Sequence, residues 1–452
     1  MNTPKLKRWI MMCSTMMLAT SATTLYARLP ADQLARLGKD LTPMGAEKAG
    51  NKEGSIPAWT GGLTKPPAGF DPAKGYANPF AAEQPLYTIT AANIEQYKNK
   101  LPAGSVMLFK RQPSYKMFVY PTHRTAGYPD AVYETTMKEA AQAELTNDGA
   151  SVAGALKTSV PFPIPANGAE AIWNHTFRYR GGMVKRDVTE FPVNRDGSFT
   201  PVKTTEKIIF AQGLSNAPEN YRLQYLTYYT APSNLAGEAT LVNEYADMVK
   251  QPRKAWIYNP GTRRVMRAPE ISYDSPREGT DGLSTTDDYD GFNGQPDRFS
   301  WKLLGKREMI IPYNSYKLTD KSLKYKDIIK PGILNQDLVR YELHRVWVVE
   351  GTLKPNKSHI YGKRVYLLDE DSWQIVHSDA YDGRGELWRV LEMFGVQYYD
   401  AAVFWTTGSV QYDLQARRYV SSGLSNEEKP WQFNASFKIS DFTSGALSRI
   451  GN

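Results

Sequence analysis

The sequence predicts a mainly β protein with some α-helix (an α+β fold), built on one large curved antiparallel sheet that a few N-terminal helices cover. Aromatic residues make up 12% of the 452 residues, and such rings favour strands and apolar contact surfaces. From residue 172 onward, apolar residues recur with a period of two in short runs separated by turn residues. Helical patterns are concentrated before this point, so the sheet and its cover are expected to come from different segments.

Residues 1–27 are predicted to be a secretory signal peptide. Lys5, Lys7 and Arg8 form a basic start, an uncharged stretch runs from residue 9 to residue 27, and Ala27 offers a small residue for cleavage. Cleavage after Ala22 is an alternative. A retained membrane anchor is another, but many Ser and Thr residues make the stretch polar for a bilayer-crossing helix of about 20 residues.

The only cysteine, Cys13, lies inside this predicted signal, so the exported chain would contain none. That composition excludes disulfides, cysteine metal sites and thiol nucleophiles from the mature protein. The formal net charge of +8 becomes +5 (8 − 3) without the three cations of the signal. Because this balance is mild and no dense basic stripe occurs, nucleic-acid binding is not indicated.

Residues 28–170 form a segment rich in Pro and Gly, in which three short helices are predicted. Thr90 is a suitable N-cap for the second of them, and Pro102 is expected to end its pattern. The backbone around residues 54–62 must be irregular because glycines crowd it. The predicted helices cover residues 31–40, 90–100 and 130–145.

Residues 171–452 are predicted to form a large antiparallel β domain, one structural unit with the preceding segment. Its first strand is expected at residues 172–180, where Trp173, His175 and Phe177 alternate with polar residues. A sheet this large must curl or close. The other predicted strands cover residues 184–193, 199–210, 222–230, 239–248, 254–267, 299–312, 338–352, 358–368, 373–381, 386–399 and 404–414.

A long acidic break interrupts the strands between residues 271 and 297. Asp288, Asp290 and Asp297, with a turn at Gly291, weakly resemble a calcium-binding loop. However, Thr286 would occupy the first ligand position and no helices flank the loop, so no metal is expected. The favoured interpretation is a solvated acidic loop that caps or gates a cleft.

No catalytic residue and no cofactor are predicted. The histidines lack the spacing of a zinc motif and are interpreted as strand residues bonded to neighbours. The sequence contains no nucleophile elbow, Walker loop or dinucleotide-binding fingerprint. A hydrolase acting on glycans or esters through a pair of carboxylates stays open as a minor alternative. The histidines are His123, His175, His344, His359 and His377.

The densest positive cluster lies at residues 253–267. Arg253, Arg263 and Arg264 are predicted to contact an anionic headgroup or an acidic partner, because clustered cations attract such groups. The alternative is a solvated strand face.

Aromatic side chains on the later strands are candidate ligand-binding residues. A curved sheet lined with rings and covered by helices makes a concave apolar cavity that suits acyl chains or another hydrophobic ligand. The alternative is that these rings are packed core. The residues predicted to bind the ligand are Trp347, Trp373, Trp388, Phe394 and Tyr398.

A series of different short motifs is distributed along nearly the whole mature chain. They lie at residues 41–51 (LTPMGAEKAGN), 56–62 (IPAWTGG), 252–256 (PRKAW), 263–265 (RRV), 288–293 (DYDGFN), 296–299 (PDRF), 301–303 (WKL), 305–306 (GK), 311–314 (IPYN), 342–347 (ELHRVW), 369–373 (DEDSW) and 381–385 (YDGRG). With these motifs, the chain resembles a family of bacterial exported proteins called domain of unknown function 1329 (DUF1329).

This resemblance implies a fold like that of the lipoprotein-localisation carriers LolA and LolB. Such a fold is a half-barrel, in which a half-closed antiparallel sheet wraps around helices and leaves an apolar cavity for acyl chains. The resemblance also implies an association with exporters of the resistance–nodulation–division type. The present chain is much longer than those carriers and lacks a recognisable lipid-anchor cysteine.

The expected function is that of a carrier or chaperone in the periplasm or at the outer membrane. It would bind a lipid or other hydrophobic ligand, exchange it with an envelope transporter, and contact membranes peripherally. The first alternative is a non-enzymatic envelope scaffold or transporter accessory subunit. The hydrolase is the less favoured alternative, and nucleic acid is not an expected partner.

Overall fold

The computed structural model describes residues 29–154, 157, 159–268 and 273–450. The predicted signal peptide, residues 1–27, lies outside the described residues. Within the described part of the chain, no helix is both long enough and apolar enough to cross a membrane.

The helices are few and short. The helix predicted at 31–40 covers a single turn, and the one predicted at 130–145 ends at residue 139. The prediction at 90–100 is wrong, because 3₁₀ turns occupy that stretch and an α-helix follows it. Pro102 has no N–H to contribute, so it suits the start of that helix rather than its end. The α-helices are α1 (Ala31–Leu34), α2 (Ala103–Arg111), α3 (Asp130–Glu139), α4 (Gly168–Phe177), α5 (Tyr325–Ile328) and α6 (Ser444–Ile450), and 3₁₀ turns span Pro72–Lys74, Ile94–Gln96, Lys98–Lys100, Ala211–Gly213, Thr286–Asp288, Pro296–Arg298, Tyr316–Thr319, Gln336–Leu338 and Ile439–Asp441.

Strands are the predominant secondary structure of the described residues after residue 182, as the period-two pattern predicts. The strand predicted at 299–312 has these bounds in the structure, and the run predicted at 254–267 is a two-stranded hairpin. The strands are β1 (Tyr87–Ile89), β2 (Met117–Val119), β3 (Glu144–Thr146), β4 (Ser151–Ala153), β5 (Met183–Val193), β6 (Val202–Phe210), β7 (Tyr221–Ala231), β8 (Ala239–Tyr245), β9 (Lys254–Asn259), β10 (Arg264–Arg267), β11 (Phe299–Pro312), β12 (Tyr341–Leu353), β13 (Lys363–Asp369), β14 (Ile375–Tyr381), β15 (Leu387–Tyr398), β16 (Val403–Asp413) and β17 (Arg418–Leu424).

One open sheet of 15 strands organises the described residues. Its order is β1-β2-β12-β13-β14-β15-β16-β17-β5-β6-β7-β8-β9-β10, with β11 paired to β12. Neighbours are antiparallel except for one parallel pairing of β2 with β12. Hairpin connections run through both halves, and β17 joins β5 to unite them. The mainly β class with one large sheet and few helices is therefore confirmed, and the sheet is not closed.

The strand predicted at residues 172–180 is wrong, because residues 168–177 form α4. All ten residues of this helix are buried, so no polar face reveals its helical period. The chance alternation of rings and polar residues therefore imitates a strand. The local start signal is present: the Asn167 side chain accepts a hydrogen bond of 3.0 Å from the Glu170 backbone N–H, as in an N-cap.

Apolar side chains cover both faces of the sheet around β15. Val390 packs into one core with Leu108 of α2, whereas the next residue, Leu391, packs into another core with Ile172 of α4. A cover made mainly of N-terminal helices is not confirmed. Residues outside α-helices, such as Ile56, also enter these cores.

Candidate functional site

A cavity of about 420 Å³ lies over one face of strands β6 to β9. Its floor is a row of apolar side chains in register, because Ile208 lies opposite Tyr225 and Tyr225 lies opposite Val242. Ile257 of β9 extends the floor, and Trp405 of β16 lines it as well. The volume falls within the range of roughly 300–1,000 Å³ that is usual for small-molecule sites.

The opposite face of the same strands is packed core. Successive residues point to opposite sides of a strand, so Ile209, Leu226, Leu241 and Tyr258 leave the cavity side. They pack there together with Leu447 of α6. The helix thus supports the sheet from behind.

A bulge in β7 brings an arginine to the cavity. The register between β7 and β8 shifts between Tyr221 and Leu223, and a bulge of this sort re-aims side chains. Tyr221 packs on the α6 side, whereas both Arg222 and Leu223 line the cavity. Sequence alternation alone would place only one of two adjacent residues there.

Residues 273–293 form a second wall of the cavity. The interpretation of this segment as a solvated acidic loop is wrong for Asp287 and Asp288, which are buried, whereas Glu278 and Asp281 are exposed. Arg364 of β13 donates to both, over 2.6 Å to Asp287. Burial alone would raise the pKa of Asp287, but Arg364, His359 and Thr285 together more than offset this and hold that pKa below its usual value. The wall residues are Ser275, Pro276, Arg277, Glu278, Thr286, Tyr289, Asp290, Phe292 and Asn293.

Two arginines that follow α4 share one carboxylate at the cavity. Arg178 donates to both oxygens of Asp290 over 2.6 and 2.7 Å, and Arg180 donates to the same carboxylate. The indole N–H of Trp405 also donates to Asp290, over 3.0 Å. The Arg180 guanidinium lies 4.6 Å from the ring centre of Phe210. Burial lowers the pKa of Arg180 to about 9, with Asp290 opposing this and the neighbouring arginines adding to it.

A second carboxylate is shared in the same way. Glu244 lies 2.5 Å from Arg253 and 3.4 Å from Arg222, and its side chain is 1% exposed. Arg222 and Arg180 both donate to the backbone carbonyl of Thr176, over 3.4 and 3.2 Å. Burial lowers the pKa of Arg222, and Glu244 offsets this only in part. We call this region, lined by Arg178, Arg180, Arg222 and Arg253, the arginine end of the cavity.

The other end of the cavity is acidic. Glu190 forms an ion pair with Arg277, while Glu238 and Glu278 lie nearby. Burial raises the pKa of Glu238, and the charge of Glu278 adds to the effect. Pro276 and Glu278 are exposed, so this acidic end reaches the protein surface.

A buried polar cluster lies away from the cavity. The Nε2 of His344 is 2.9 Å from Glu342, and its Nδ1 is 3.8 Å from Asp369. Burial, reinforced by the charge of Asp371, raises the pKa of Asp369 to about 7. His344, Asp369 and Asp371 could each offer one ligand atom to a metal, within 4.8 Å of one another. However, both oxygens of Asp371 already accept from Arg124, over 2.7 and 2.9 Å, which favours a structural role.

Comparisons with known proteins place the chain in a family. The profile described as "Protein of unknown function (DUF1329)" matches residues 88–448. The chain belongs to the DUF1329 family. It is also 50% identical, over 440 residues and 96% of both chains, to "Uncharacterized protein PA3922" of Pseudomonas aeruginosa strain PAO1.

Three solved structures have partial similarity to this DUF1329 chain. A candidate outer membrane lipoprotein-sorting protein domain from Vibrio parahaemolyticus is 17% identical, covers 62% of this chain and 98% of its own, and gives a TM-score of 0.45. A DUF1329 protein from Desulfovibrio piger is 14% identical, covers 59% of this chain and 92% of its own, and gives a TM-score of 0.41. The LolA superfamily protein NE2245 from Nitrosomonas europaea is 12% identical, covers 62% of this chain and 98% of its own, and gives a TM-score of 0.38.

The five aromatic residues predicted to bind a ligand are not among the described residues that line the cavity of this DUF1329 protein. Trp373 and Phe394 are fully buried in separate cores. Trp347 stacks on Trp373 with ring centres 6.1 Å apart, and Tyr398 packs against Trp431 at 5.3 Å. Trp388 donates its indole N–H to Asp413 over 3.0 Å. Their role in ligand binding stays a prediction. Other aromatic side chains, such as Tyr225 and Trp405, line the cavity.

The predicted basic residues divide between two places. Arg253 lines the cavity, where its guanidinium lies 4.9 Å from the ring centre of Tyr273. Arg263 occupies the turn between β9 and β10 with a φ of 53°, and Arg264 begins β10 as an exposed residue. Arg253 therefore belongs to the cavity, whereas Arg263 and Arg264 lie at the tip of the β9–β10 hairpin.

The three carboxylates of the calcium alternative pair with different cations. Asp288 pairs with Arg364, Asp290 with Arg178 and Arg180, and Asp297 with Lys357 over 2.7 Å. They do not form a common site.

The histidines are bonded to neighbours, as the sequence interpretation has it. His175, however, lies in α4 rather than a strand, 3.1 Å from the Trp373 carbonyl and 2.8 Å from the Asp290 carbonyl. Burial holds the pKa of His175 well below its usual value. The other four lie beside carboxylates, in the pairs His123–Glu83, His344–Glu342, His359–Asp287 and His377–Asp379.

Sequence reasoning missed Arg180, Arg222, Glu206 and Glu244 as site residues. A signal was present, since charged residues occupy the cavity-facing positions of predicted strands next to aromatic ones. Charges at inward positions of a strand are costly unless they are paired or functional.

Proposed function

We propose that this protein is a binding protein for a hydrophobic molecule, which it carries in the periplasm within the cavity over β6 to β9. The observation that carries the proposal is a cavity of about 420 Å³ with an apolar floor of Ile208, Tyr225, Val242 and Ile257. Each Å² of apolar ligand surface removed from water there contributes about 25 cal/mol to binding.

The cavity wall offers a route for the ligand. Residues 285–293 are fastened by Arg364 and Arg178, so they form the fixed part of the wall. Residues 275–278 line the end that reaches the surface. Movement of this second stretch would open the cavity by separating Arg277 from Glu190, and would leave the buried ion pairs of Asp287 and Asp290 intact.

Binding of the neutral fluorophore Nile red tests the proposal, together with mass spectrometry of lipids that remain bound after gentle purification. The variant Val242→Trp places an indole in the cavity and is expected to weaken Nile red binding at least tenfold. Thr230→Trp, at an exposed position near the end of β7, is the matched control and is expected to bind as the wild type does. Circular dichroism checks that both variants fold.

The proposal would be refuted if the wild-type protein neither bound Nile red nor retained lipid. It would equally fail if Val242→Trp bound the fluorophore with wild-type affinity, because the bound molecule would then lie elsewhere.

A second function, as an accessory subunit of an envelope transporter, is favoured by the tip of the β9–β10 hairpin. Arg264 is exposed, Met266 is 55% exposed, and β10 ends the sheet order in the described residues. Such a basic edge with an apolar residue suits an acidic surface of a transporter of the resistance–nodulation–division type. In-cell cross-linking from this tip is expected to be lost in Arg263→Glu/Arg264→Glu while Nile red binding is unchanged. Retention of the cross-link would exclude this contact.

A further inference from the structure

Positive charge exceeds negative charge at the arginine end of the cavity. Asp290 pairs with two guanidinium groups and Glu244 pairs with two others, so these two carboxylates share four cations. His175 nearby is neutral at physiological pH, because burial lowers its pKa, and it adds no charge. The four guanidiniums belong to Arg178, Arg180, Arg222 and Arg253.

Arg222 is the least well satisfied of the four. Its two terminal nitrogens have contacts of only 3.4 Å, to the Thr176 carbonyl and to Glu244. Its Nε has no acceptor, and neither do the Nε atoms of Arg180 and Arg253. Yet the side chains of Arg222, Arg180 and Arg253 are only 5%, 8% and 10% exposed. Water therefore cannot fully replace the missing acceptors.

Burying a cation without enough acceptors is costly, and proteins do so mainly where the charge is used. The lowered pKa of Arg222 has this same cause, since burial outweighs the attraction of Glu244. An added oxyanion would accept from the terminal nitrogens of Arg222 and from Nη2 of Arg180, whose present contacts are 3.2–3.4 Å long, and would balance the charge. Two guanidiniums that converge on the Thr176 carbonyl offer the forked donors that carboxylates and phosphates accept.

The rest of the cavity fits the remainder of such a ligand. From Arg222 the floor continues through Leu223, Tyr225 and Thr227 to Tyr229, roughly 23 Å at about 3.3 Å per residue. The far end carries Glu238 and Glu278, which repel a second anion and so give the ligand one orientation.

We propose that the arginine end is a subsite for the acidic headgroup of a single-chain amphiphile, a carboxylate or a phosphate monoester, with Arg222 and Arg180 as its principal contacts. This inference rests on the proposed function and names the class of molecule that the cavity binds. The headgroup lies against Arg222, and the apolar chain extends over Tyr225 toward the acidic end.

Equilibrium binding of four probes with the same chain tests the inference: hexadecanoic acid, hexadecyl phosphate, hexadecan-1-ol and hexadecylamine. They are measured at neutral pH below their micelle-forming concentrations. The wild-type protein is expected to bind at least one of the two acids at least tenfold more tightly than the alcohol, and the amine more weakly than either acid. The stronger of the two acids identifies the headgroup as a carboxylate or a phosphate.

The variant Arg222→Met keeps the unbranched apolar stem of the side chain but removes the guanidinium and its charge. It is expected to abolish the preference for acid over alcohol while leaving alcohol binding within about threefold of the wild type. Arg195→Met, the same change at an exposed position in the turn after β5 and outside the cavity, is the matched control and should keep the preference. If Arg222→Met does not fold, the four-probe series on the wild type still decides.

Equal binding of acids and alcohol by the wild type would overturn the inference and leave the proposed function standing. A preference that survives in folded Arg222→Met would also overturn it. If none of the probes bound, the proposed function itself would fail.

Discussion

Replacement of Arg124 by Met is expected to lower the free energy of unfolding by about 3–5 kcal/mol, the usual cost of breaking a buried ion pair from one side. The Arg124 and Asp371 side chains are each 2% exposed, and two hydrogen bonds of 2.7 and 2.9 Å join them in a forked arrangement. The same guanidinium donates to the Glu47 carbonyl over 2.7 Å. Its loss leaves the Asp371 carboxylate buried without its cation and removes one of the contacts of the segment around residue 47, to which Arg345 and Lys306 also bond.

Urea unfolding monitored by tryptophan fluorescence measures this cost, with Asp371→Leu and the double variant Arg124→Met/Asp371→Leu completing a double-mutant cycle. The double variant is expected to be more stable than the sum of the single changes, because it leaves no buried charge unpaired. A cost below about 1 kcal/mol for Arg124→Met, the level of an exposed ion pair, would refute the reasoning. So would strict additivity across the cycle.

Two further predictions concern other buried groups. Burial and the charge of Asp371 raise the pKa of Asp369 to about 7, so the folded protein holds a proton there that the unfolded chain releases near pH 4. The free energy of unfolding should therefore fall as pH rises from about 4 to about 7. Urea unfolding of Asp369→Asn and the wild type should show that the variant gains stability relative to the wild type from pH 5 to pH 8. A stability difference between the two proteins that does not change with pH would contradict this. Gly291 has a φ of 88°, and an added Cβ would lie 3.0 Å from Ile375 and Met393, so Gly291→Ala should destabilise the protein by at least about 1 kcal/mol, whereas the same change at the exposed Gly383 should be nearly neutral in thermal unfolding.

The longer strands were predictable because each alternates over enough residues to define two faces, whereas β17 and the short strands β1 to β4 were not predicted. β11 illustrates this, since both of its ends agree with the prediction. α4 was not predictable in the same way, because its complete burial removes the polar stripe on which helix recognition depends. The acidic segment was misread for a related reason. Sequence gives the charge of Asp287 but not Arg364, its partner 77 residues away.

The cavity depends on relations that lie outside any local pattern. The floor exists because Ile208, Tyr225 and Val242 come into register across three strands, each reached by its own hairpin. Arg222 reaches the cavity through a bulge, which a strict period of two does not anticipate. Aromatic residues such as Trp373 and Phe394 were predicted to bind a ligand because rings are numerous on these strands, but both side chains are buried in hydrophobic cores.

The junction between β17 and β5 has a consequence for how the chain reaches its final shape. Phe191 pairs there with Ser421, which follows it by 230 residues. Synthesis therefore leaves two unfinished half-sheets with open edges until the last strand emerges, and contacts this distant slow the completion of folding. This interval is the period in which unpaired edges are most exposed to aggregation.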